Sequence, residues 1–462
     1  RYLDAARKIG DLFCRTLAAG IDITELGNHF GLSATVLMDP IVELYFATGE
    51  QRYLDLARLI LEQAERHPRS AMVTRALAGA DASEIATGKA YQLLWNMVGV
   101  AKLYRATGEP LLLEALTKLW SNVRDHHLTL GGGPWGGVAH RSREVFNAAG
   151  TFSPHAYVET CSILAWVQLS RELLSISGDA RYAEEIERSA FNDLLGAQAP
   201  NGEDWCYYSF PNGRRVHTTY WRCCKSSGAL ALEELPSLLY GVTREGDIAV
   251  NLFAPSDFEH RLPCGTAVRL EQRTRFPFEG EIEIHVMPEQ PSRFAVGVRI
   301  PHWATDRIDV RVNDSVIAGA PAGQYLSIDR EWRRDDVITL KLPLHPRVHR
   351  MIHRNVQESR APDGSAVAQE VLHFEYIAAS RGPLVYATGL IDGYKLEETL
   401  RLSDAPQDEW LRAVPATAEE GADLELRPLD RAPIIFSPYY RAGGRGDRAW
   451  RLTWMPLAPE LR

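Results

Sequence analysis

Three things are scarce in this chain of 462 residues. The first is cysteine, with only Cys14, Cys161, Cys206, Cys223, Cys224 and Cys264. Six cysteines scattered over such a length exclude a disulfide framework and favour thiols that are reduced or metal-bound. The second is positive charge. Lys and Arg number 51 against 60 Asp and Glu, a formal net charge of -9, which argues against a nucleic-acid partner, whose binder carries a basic face. The third is a long apolar run. No stretch approaches the ~20 apolar residues that span a bilayer, and no secretory signal pattern is visible. No membrane partner is expected. The chain opens at Arg1 already inside a helical pattern, so the expectation is that native N-terminal residues are missing. A cytoplasmic location is the expectation from the absent signal.

What is present is the composition of a soluble globular protein, 45% apolar and 24% charged, long enough for two or three domains. The first half reads helical. From Arg1 to Ala19 the apolar residues Leu3, Ala6, Ile9, Leu12 and Phe13 fall on one helix face. A local phrase then recurs: Leu44 to Glu50 with Tyr53 to Ala57, Leu103 to Glu109 with Leu112 to Leu116, and Leu174 to Asp179 with Tyr182 to Ile186. Each copy places a glycine where a helix closes in the left-handed conformation. The repeat, at a spacing of ~60–70 residues, predicts an array of helical hairpins. A toroid around a central cavity is one natural closure. Gly131 to Gly137 holds five glycines and a proline in seven residues and cannot be a helix interior. It is either a loop across a cavity mouth or a long connection.

Past residue 241 the pattern alternates, which predicts strands. They are expected at Asp247 to Phe253, Ala267 to Arg273, Glu281 to Met287, Arg293 to Ile300, Ile308 to Val312 and Val337 to Leu342. Pro343 to Arg354 reads as a boundary. A second strand set is expected at Val371 to Ile377, Leu384 to Gly389 and Trp450 to Trp454, with Asp404 to Asp423 as an acidic surface excursion. The expected division is 1–241 helical, 242–345 a β-sandwich and 346–462 a second β-sandwich.

One stretch carries unusual chemistry: Tyr220-Trp221-Arg222-Cys223-Cys224-Lys225-Ser226-Ser227-Gly228. Two cations flank two cysteines ahead of a helical pattern that Ser226 or Ser227 can cap. Cations and a helix N-terminus favour thiolate. Upstream lies Glu159-Thr160-Cys161. Glu159, Cys161, Cys223 and Cys224 together supply a carboxylate and three thiolates, a set that suits tetrahedral Zn²⁺. Their spacing is not that of a zinc finger, and small buried hydrophobes are the plainer reading of free cysteines. Residues two apart on a helix point ~200° apart, so both pairs must sit at loop-to-helix junctions to meet one ion. Glu144, after the glycine loop, is a candidate general acid. Its plainer reading is a surface glutamate paired with Arg141 or Arg143.

These motifs resemble those of the β-L-arabinofuranosidase family, glycoside hydrolase family 127, and its relatives in families 142 and 146. Glu144-Val145-Phe146, Tyr157-Val158-Glu159-Thr160-Cys161 and Cys223-Cys224 fall in the family's order and rough spacing. Further matches are Leu44 to Gly49, Gly178 to Tyr182, Arg299 to Ala304, Arg381 to Tyr386 and Pro438 to Tyr440, so the resemblance covers roughly residues 35 to 455. It implies a multidomain α+β chain: an (α/α)6-type helical-hairpin barrel followed by two β-sandwich domains. It also implies retaining cleavage of terminal β-L-arabinofuranosides. The roles implied are Cys223 as nucleophile, Glu144 as acid/base, and Glu159, Cys161, Cys223 and Cys224 as Zn²⁺ ligands.

The chain departs from the family where the sugar would sit. Gly88-Lys89 replaces a Gly-His pair, Gln92 an arginine, Ala34 to Asp39 a His-containing acidic stretch, and Phe152-Ser153-Pro154-His155 a Leu-Pro-Asn. Lys225-Ser226 stands where prolines usually follow the cysteine pair, and Trp221 where a further cysteine does. Lys89, Gln92, His155 and Tyr157 are the expected substrate contacts. Lys89 in the cavity could pair with a sugar carboxylate, which makes a hydrolase of an acidic sugar such as aceric acid the nearest alternative. A surface lysine is the plainer reading of Lys89. A zinc-stabilised carbohydrate-binding protein without catalysis is the alternative from another class, although a pure binder needs neither Glu144 nor Cys223. Redox chemistry through adjacent cysteines is disfavoured, because redox pairs are spaced Cys-x-x-Cys. The expected partners are a small sugar or oligosaccharide end and, at most, a second copy of the chain in a homodimer.

Overall fold

The computed structural model describes residues 1–137, 144–218, 222–306, 308–391, 399–416 and 421–458. Arg141, Arg143, Tyr220 and Trp221 lie outside the described residues.

The first half is helical. Its longer helices are α1 (Tyr2–Ala18), α2 (Met38–Thr48), α3 (Gln51–Arg66), α4 (Ala90–Thr107), α5 (Pro110–His126), α6 (Thr160–Ser177), α7 (Ala180–Ser189) and α8 (Arg222–Leu238). The recurring phrase is three hairpins, α2/α3, α4/α5 and α6/α7. They turn at Gly49, Gly108 and Gly178, with φ of 69°, 72° and 65°. Each glycine N–H closes its helix on the carbonyl of Tyr45, Tyr104 or Leu174, at 2.8, 2.7 and 2.8 Å. These left-handed caps satisfy carbonyls that the helix end would otherwise leave unpaired.

Helices α4 and α6 lie at the centre and are buried on nearly all sides, through Leu93, Met97 and Val100 on one and Ile163, Trp166 and Leu169 on the other. Trp120 of α5 stacks on Trp166 at 5.2 Å and meets the edge of Tyr182 at 4.6 Å. Its indole N–H reaches Ser170 Oγ at 3.0 Å. Among the described residues no helix is long and apolar enough to cross a membrane.

The second half is β-rich. A six-stranded and a four-stranded sheet share one core, with Leu270, Ile284 and Ile338 from the first and Val250, Val296 and Val298 from the second. A seven-stranded sheet follows, in which Ile377 and Tyr386 pack in one cluster with Leu411 and Leu424. Its long hairpin, Pro346–Arg360 with Ala366–Arg381, reaches back to the helical half. There His353 Nδ1 meets the carbonyl of Phe152 at 2.7 Å. Asn212 binds the far end of the chain: its side-chain oxygen accepts from the N–H groups of Thr453 and Trp454, at 2.9 and 2.8 Å.

Two sequence expectations are corrected here. Pro343 to Arg354 is not irregular throughout, because Pro346 already begins the long strand. Its polar residues hid it, since a hairpin with little burial on its outer part lacks the alternation by which strands are read. Asp404 to Asp423 is not merely an excursion. It holds a helical turn, Gln407–Trp410, and a strand, Leu411–Pro415, and Trp410 and Leu411 join the core of the seven-stranded sheet. The strands Ser256–Arg261 and Gln324–Trp332 also went unread, as both carry charges along their length.

A Cβ built on Gly49, Gly108 or Gly178 touches nothing within 4 Å, so replacing any of them tests conformation alone. Gly49→Ala, Gly108→Ala and Gly178→Ala are each expected to cost about 1 kcal/mol, from the left-handed backbone. Urea unfolding of the singles and the triple variant checks this, and the costs should add because the turns lie on separate hairpins.

Candidate functional site

Two short backbone segments set the carboxylates. Strand β1 (Trp135–Gly136) pairs with β2 (Tyr157–Glu159), which pairs in turn with β3 (Tyr208–Ser209). The segment after Glu144 lies against both sides of this frame. Phe146 bridges to Gly136, and Val145 to Lys89. The Phe146 N–H donates to Gly88 O at 2.8 Å, and the Ala90 N–H to Glu144 O at 3.1 Å. The glycine loop makes this possible. A Cβ on Gly136 would lie 1.8 Å from Val145 O, and one on Gly137 would lie 2.0 Å from the Tyr157 ring. The loop is buried throughout. It is the bed on which Glu144 is placed.

Glu144 itself has a left-handed backbone, φ 49°. Its N–H donates to Tyr157 Oη at 3.0 Å. Oε1 accepts from the Tyr208 hydroxyl, and Oε2 is ion-paired with Lys89 Nζ. Lys89 also lies 3.8 Å from Glu159 Oε2. The surface reading of Lys89 therefore gives way: the residue is 6% exposed, with its ammonium between two carboxylates. Burial of a charge is tolerable only when it is paired in this way. Burial still pulls the Lys89 pKa down, with Glu159 and the cysteine sulfurs opposing that pull.

The sulfurs gather at two helix starts. Glu159 is extended and Thr160 opens α6, so this pair sits at a strand-to-helix junction; the ligand atoms that lie together are those of Cys161, Cys223 and Cys224, and Glu159 is not among them. Cys223 and Cys224 lie in the first turn of α8, which packs beside α6. Cys161 and Cys224 are 3.4 Å apart, and all three sulfurs lie within 4.8 Å of one another. Two positive helix ends therefore face the same sulfurs. Gly228 allows the approach, since a Cβ there would meet the Trp205 ring at 2.4 Å. The expected cap is corrected. The helix already runs from Arg222, so Ser226 donates back to Arg222 O at 2.8 Å, and Ser227 donates to Cys161 Sγ at 3.3 Å.

This arrangement admits one negative charge easily and resists more. The hydrogen bond from Cys224, helped by Ser227, brings the Cys161 thiol down to about 6 against the drag of burial. That same bond, with burial and the Cys161 charge, holds Cys224 far up. Burial and then Cys161 raise Cys223. Burial, followed by the Cys161 charge, pushes Glu159 up to about 7. A divalent cation would reverse every one of these oppositions. The geometry also fits one, since tetrahedral ligation with bonds of about 2.3 Å separates sulfurs by roughly 3.8 Å. Cys161 and Cys224 are buried, whereas Cys223 is exposed.

Of the other expected contacts, Tyr157 is buried and supports Glu144, with its ring 4.3 Å from that of Tyr208. Gln92 is half-buried in the first turn of α4, with Oε1 unpartnered among the described residues. His155 is exposed. Tyr208 and Ser227 were missed as site residues. The aromatic run Trp205 to Phe210 was the available signal for the first, and the Cys-Cys-x-x-Ser spacing, one turn of helix, for the second. A cavity of about 130 Å³ lies elsewhere, between α7 and the two β-rich parts. It holds none of the sulfurs. Its lining groups pair among themselves, as Glu184 does with His302 at 2.5 Å and His349 with Ser380 at 2.8 Å.

Comparison with known proteins agrees with the motifs. Residues 1–237 match the family described as β-L-arabinofuranosidase, GH127 catalytic domain, and residues 247–344 match the GH127 middle domain. A non-reducing end β-L-arabinofuranosidase of Bifidobacterium longum subsp. longum is 22% identical, over 88% of this chain and 68% of that protein. A solved glycoside hydrolase superposes with a TM-score of 0.76 at 22% identity, covering 99% of this chain and 80% of its own. A GH127 β-L-arabinofuranosidase from Geobacillus stearothermophilus T6 gives 0.72 at 22% identity, covering 91% and 72%.

The donor set predicts about one thiophilic divalent ion per chain in purified protein, by elemental analysis. Cys224→Ser is expected to lose most of it and to melt at lower temperature, because metal affinity is folding free energy. Full retention of metal in Cys224→Ser would place the ion elsewhere.

Proposed function

The chain belongs to the β-L-arabinofuranosidase family GH127, a family of glycoside hydrolases, and from that premise we propose that it is a retaining exo-glycosidase. Its substrate is a terminal β-L-arabinofuranoside or a closely related sugar. The observation that carries this reading is the single exposed sulfur, Cys223, beside two buried ones, in a site whose carboxylate Glu144 is held at both oxygens. We also infer that the helical hairpins belong to an (α/α)6-type barrel spanning residues 1–241, with β units at 242–345 and 346–462.

Glu159, Cys161, Cys223 and Cys224 would hold Zn²⁺, which when bound keeps the cysteine sulfur ionised at neutral pH. The Cys223 sulfur attacks the anomeric carbon and forms a C–S bond as the C–O bond to the leaving group breaks. Glu144, protonated by the Lys89 ammonium paired with it, gives that proton to the departing oxygen, and Lys89 regains one from Glu144 after the second step. Water then enters at the same carbon, Glu144 takes one of its protons, and the C–S bond breaks to release the sugar and restore the sulfur. Two displacements retain the anomeric configuration and consume one water. Tyr208 and Tyr157 hold Glu144 in line throughout, and the Arg222 and Lys225 charges lie near the first turn that carries the nucleophile.

Cys223→Ser should abolish turnover of p-nitrophenyl β-L-arabinofuranoside yet leave sugar binding by calorimetry largely intact. Glu144→Gln should cost about 10²–10⁴ in kcat with a sugar leaving group, the usual worth of general acid catalysis. It should cost less with p-nitrophenolate, which departs without a proton. Equal losses on both substrates would remove Glu144 from the acid role.

Lys89 bears on the choice of sugar. Because its ammonium already faces Glu144 and Glu159, we read it as a positioning residue for Glu144 rather than as a receptor for a sugar carboxylate. Lys89→Met should lower kcat/KM by about ten- to a hundredfold on a neutral furanoside, from misplacement of the acid. Loss confined to uronosides would instead support the acidic-sugar alternative.

A further inference from the structure

Backbone strain in this protein is concentrated around one ion pair. Among the described residues, six non-glycine residues have positive φ: His29, Phe30, Ala86, Glu144, Asn313 and Arg448. Four of them lie at or near the Lys89–Glu144 pair. Glu144 is one of the pair. Ala86, at φ 52°, and Gly88, at φ 69°, shape the approach to Lys89. His29 and Phe30, at φ 60° and 55°, form a turn that meets this approach, because His29 Nδ1 lies 2.9 Å from Thr87 Oγ1. Left-handed backbone at bulky residues costs free energy and persists where surroundings over-determine it, typically at ligand clamps and active sites.

The surroundings here do over-determine it. One segment grips both strained turns. The Ala86 N–H donates to Arg69 O, and the Arg69 guanidinium returns to Ala86 O at 3.4 Å. The hydroxyl of the next residue, Ser70, donates to Phe30 O. Arg69 also lies 4.5 Å over the Phe30 ring. The glycines are wedged: a Cβ on Gly31 would lie 2.5 Å from Thr24 Cα, and one on Gly88 would lie 2.6 Å from Ser83 O. What this clamp fixes is the His29 ring. It is half-buried, with Nδ1 engaged and Nε2 without a partner among the described residues. Burial and the Lys89 charge lower its pKa, so the ring is neutral and offers one donor and one acceptor, the complement of a hydroxyl.

We propose that His29 is a substrate-positioning residue on the leaving-group side of the cleft, where its Nε2 hydrogen-bonds a hydroxyl of the sugar that departs. The side follows from Glu144. The acid meets the leaving oxygen, and His29 is reached from Glu144 through Lys89 and Thr87. This rests on the roles given to Glu144 and Cys223 above. It makes an oligosaccharide end, rather than a simple alkyl glycoside, the substrate for which the site is built.

The test compares methyl β-L-arabinofuranoside with a β-L-arabinofuranosyl disaccharide, for wild type, His29→Ala and His29→Asn. Asparagine tolerates the left-handed backbone, so His29→Asn separates chemistry from folding. In both variants kcat/KM for the disaccharide is expected to fall about tenfold further than for the methyl glycoside, the worth of about one hydrogen bond in the transition-state complex. Equal falls on the two substrates, or none, in His29→Asn would overturn the proposal. A second readout does not depend on turnover. In a Cys223→Ser background, His29→Asn should weaken disaccharide binding about tenfold by calorimetry, and unchanged affinity overturns the proposal. Wild type that binds the disaccharide without cleaving it would sink the cysteine mechanism and leave the His29 result to be decided by that affinity alone.

Discussion

The structure of this site is governed by negative charge in a place with little water. Three cysteine sulfurs and the carboxyls of Glu144 and Glu159 share one region, and repulsion among them grows as the local dielectric falls. The protein answers with donors that bring no water. Lys89 sits between the two carboxylates, Ser227 donates to Cys161, Tyr208 donates to Glu144, and two helix N-termini face the sulfurs. Lys89 is the hinge of this arrangement, because it pairs with Glu144 and lies 3.8 Å from Glu159. A carboxylate left there without a counter-charge would take up a proton rather than stay charged. A divalent cation bound at the three sulfurs would supply further positive charge.

Placement of these groups is not local. Glu144 depends on Gly136 and Gly137 for room, since a side chain at either would strike Val145 or Tyr157. Tyr208 depends on a frame whose neighbouring strand, Asn212–Arg214, pairs with Trp450–Leu452 near the end of the described chain. The loop ahead of β2 is held by the long hairpin, through His353 on Phe152 O and the Phe152 ring against Tyr376, and by Trp454 near the end of the described chain. The β-rich half therefore acts on the site by fixing the backbone that presents it. That ties the helical half to the sheets packed beside it.

Much of this was legible in the sequence, for particular reasons. The hairpins were readable because one residue type, glycine, closes a helix in the left-handed conformation, and it stands at the same place in all three copies. The sulfur cluster was readable because Glu-x-Cys and Cys-Cys can share an ion only from helix starts, which is where both lie. Other features depend on contacts that no local pattern encodes. Lys89 looks like any surface lysine until Val145 bridges to it across 56 positions of chain. Tyr208 reads as one aromatic in a run, and its hydroxyl acquires a role only through Glu144. The long hairpin escaped because its outer residues are exposed, and exposure removes the alternation that marks a strand.

The position of Lys89 also narrows the chemistry. A sugar carboxylate docking there would be the third anion at one ammonium, next to sulfurs that already resist further negative charge. A neutral sugar brings only hydroxyls, which can trade hydrogen bonds with Glu144, Tyr208 or His29 without adding to the repulsion. The strained turns serve the same end. A flexible rim would let water reach the ion pair, and water would screen the Lys89 charge that keeps the two carboxylates apart in function. Holding His29, Ala86 and Glu144 in costly backbone conformations keeps those groups fixed before the substrate arrives. The free energy stored in the rim is thus spent on order where chemistry needs it, and the packed helical core behind it supplies the stability that makes such strain tolerable.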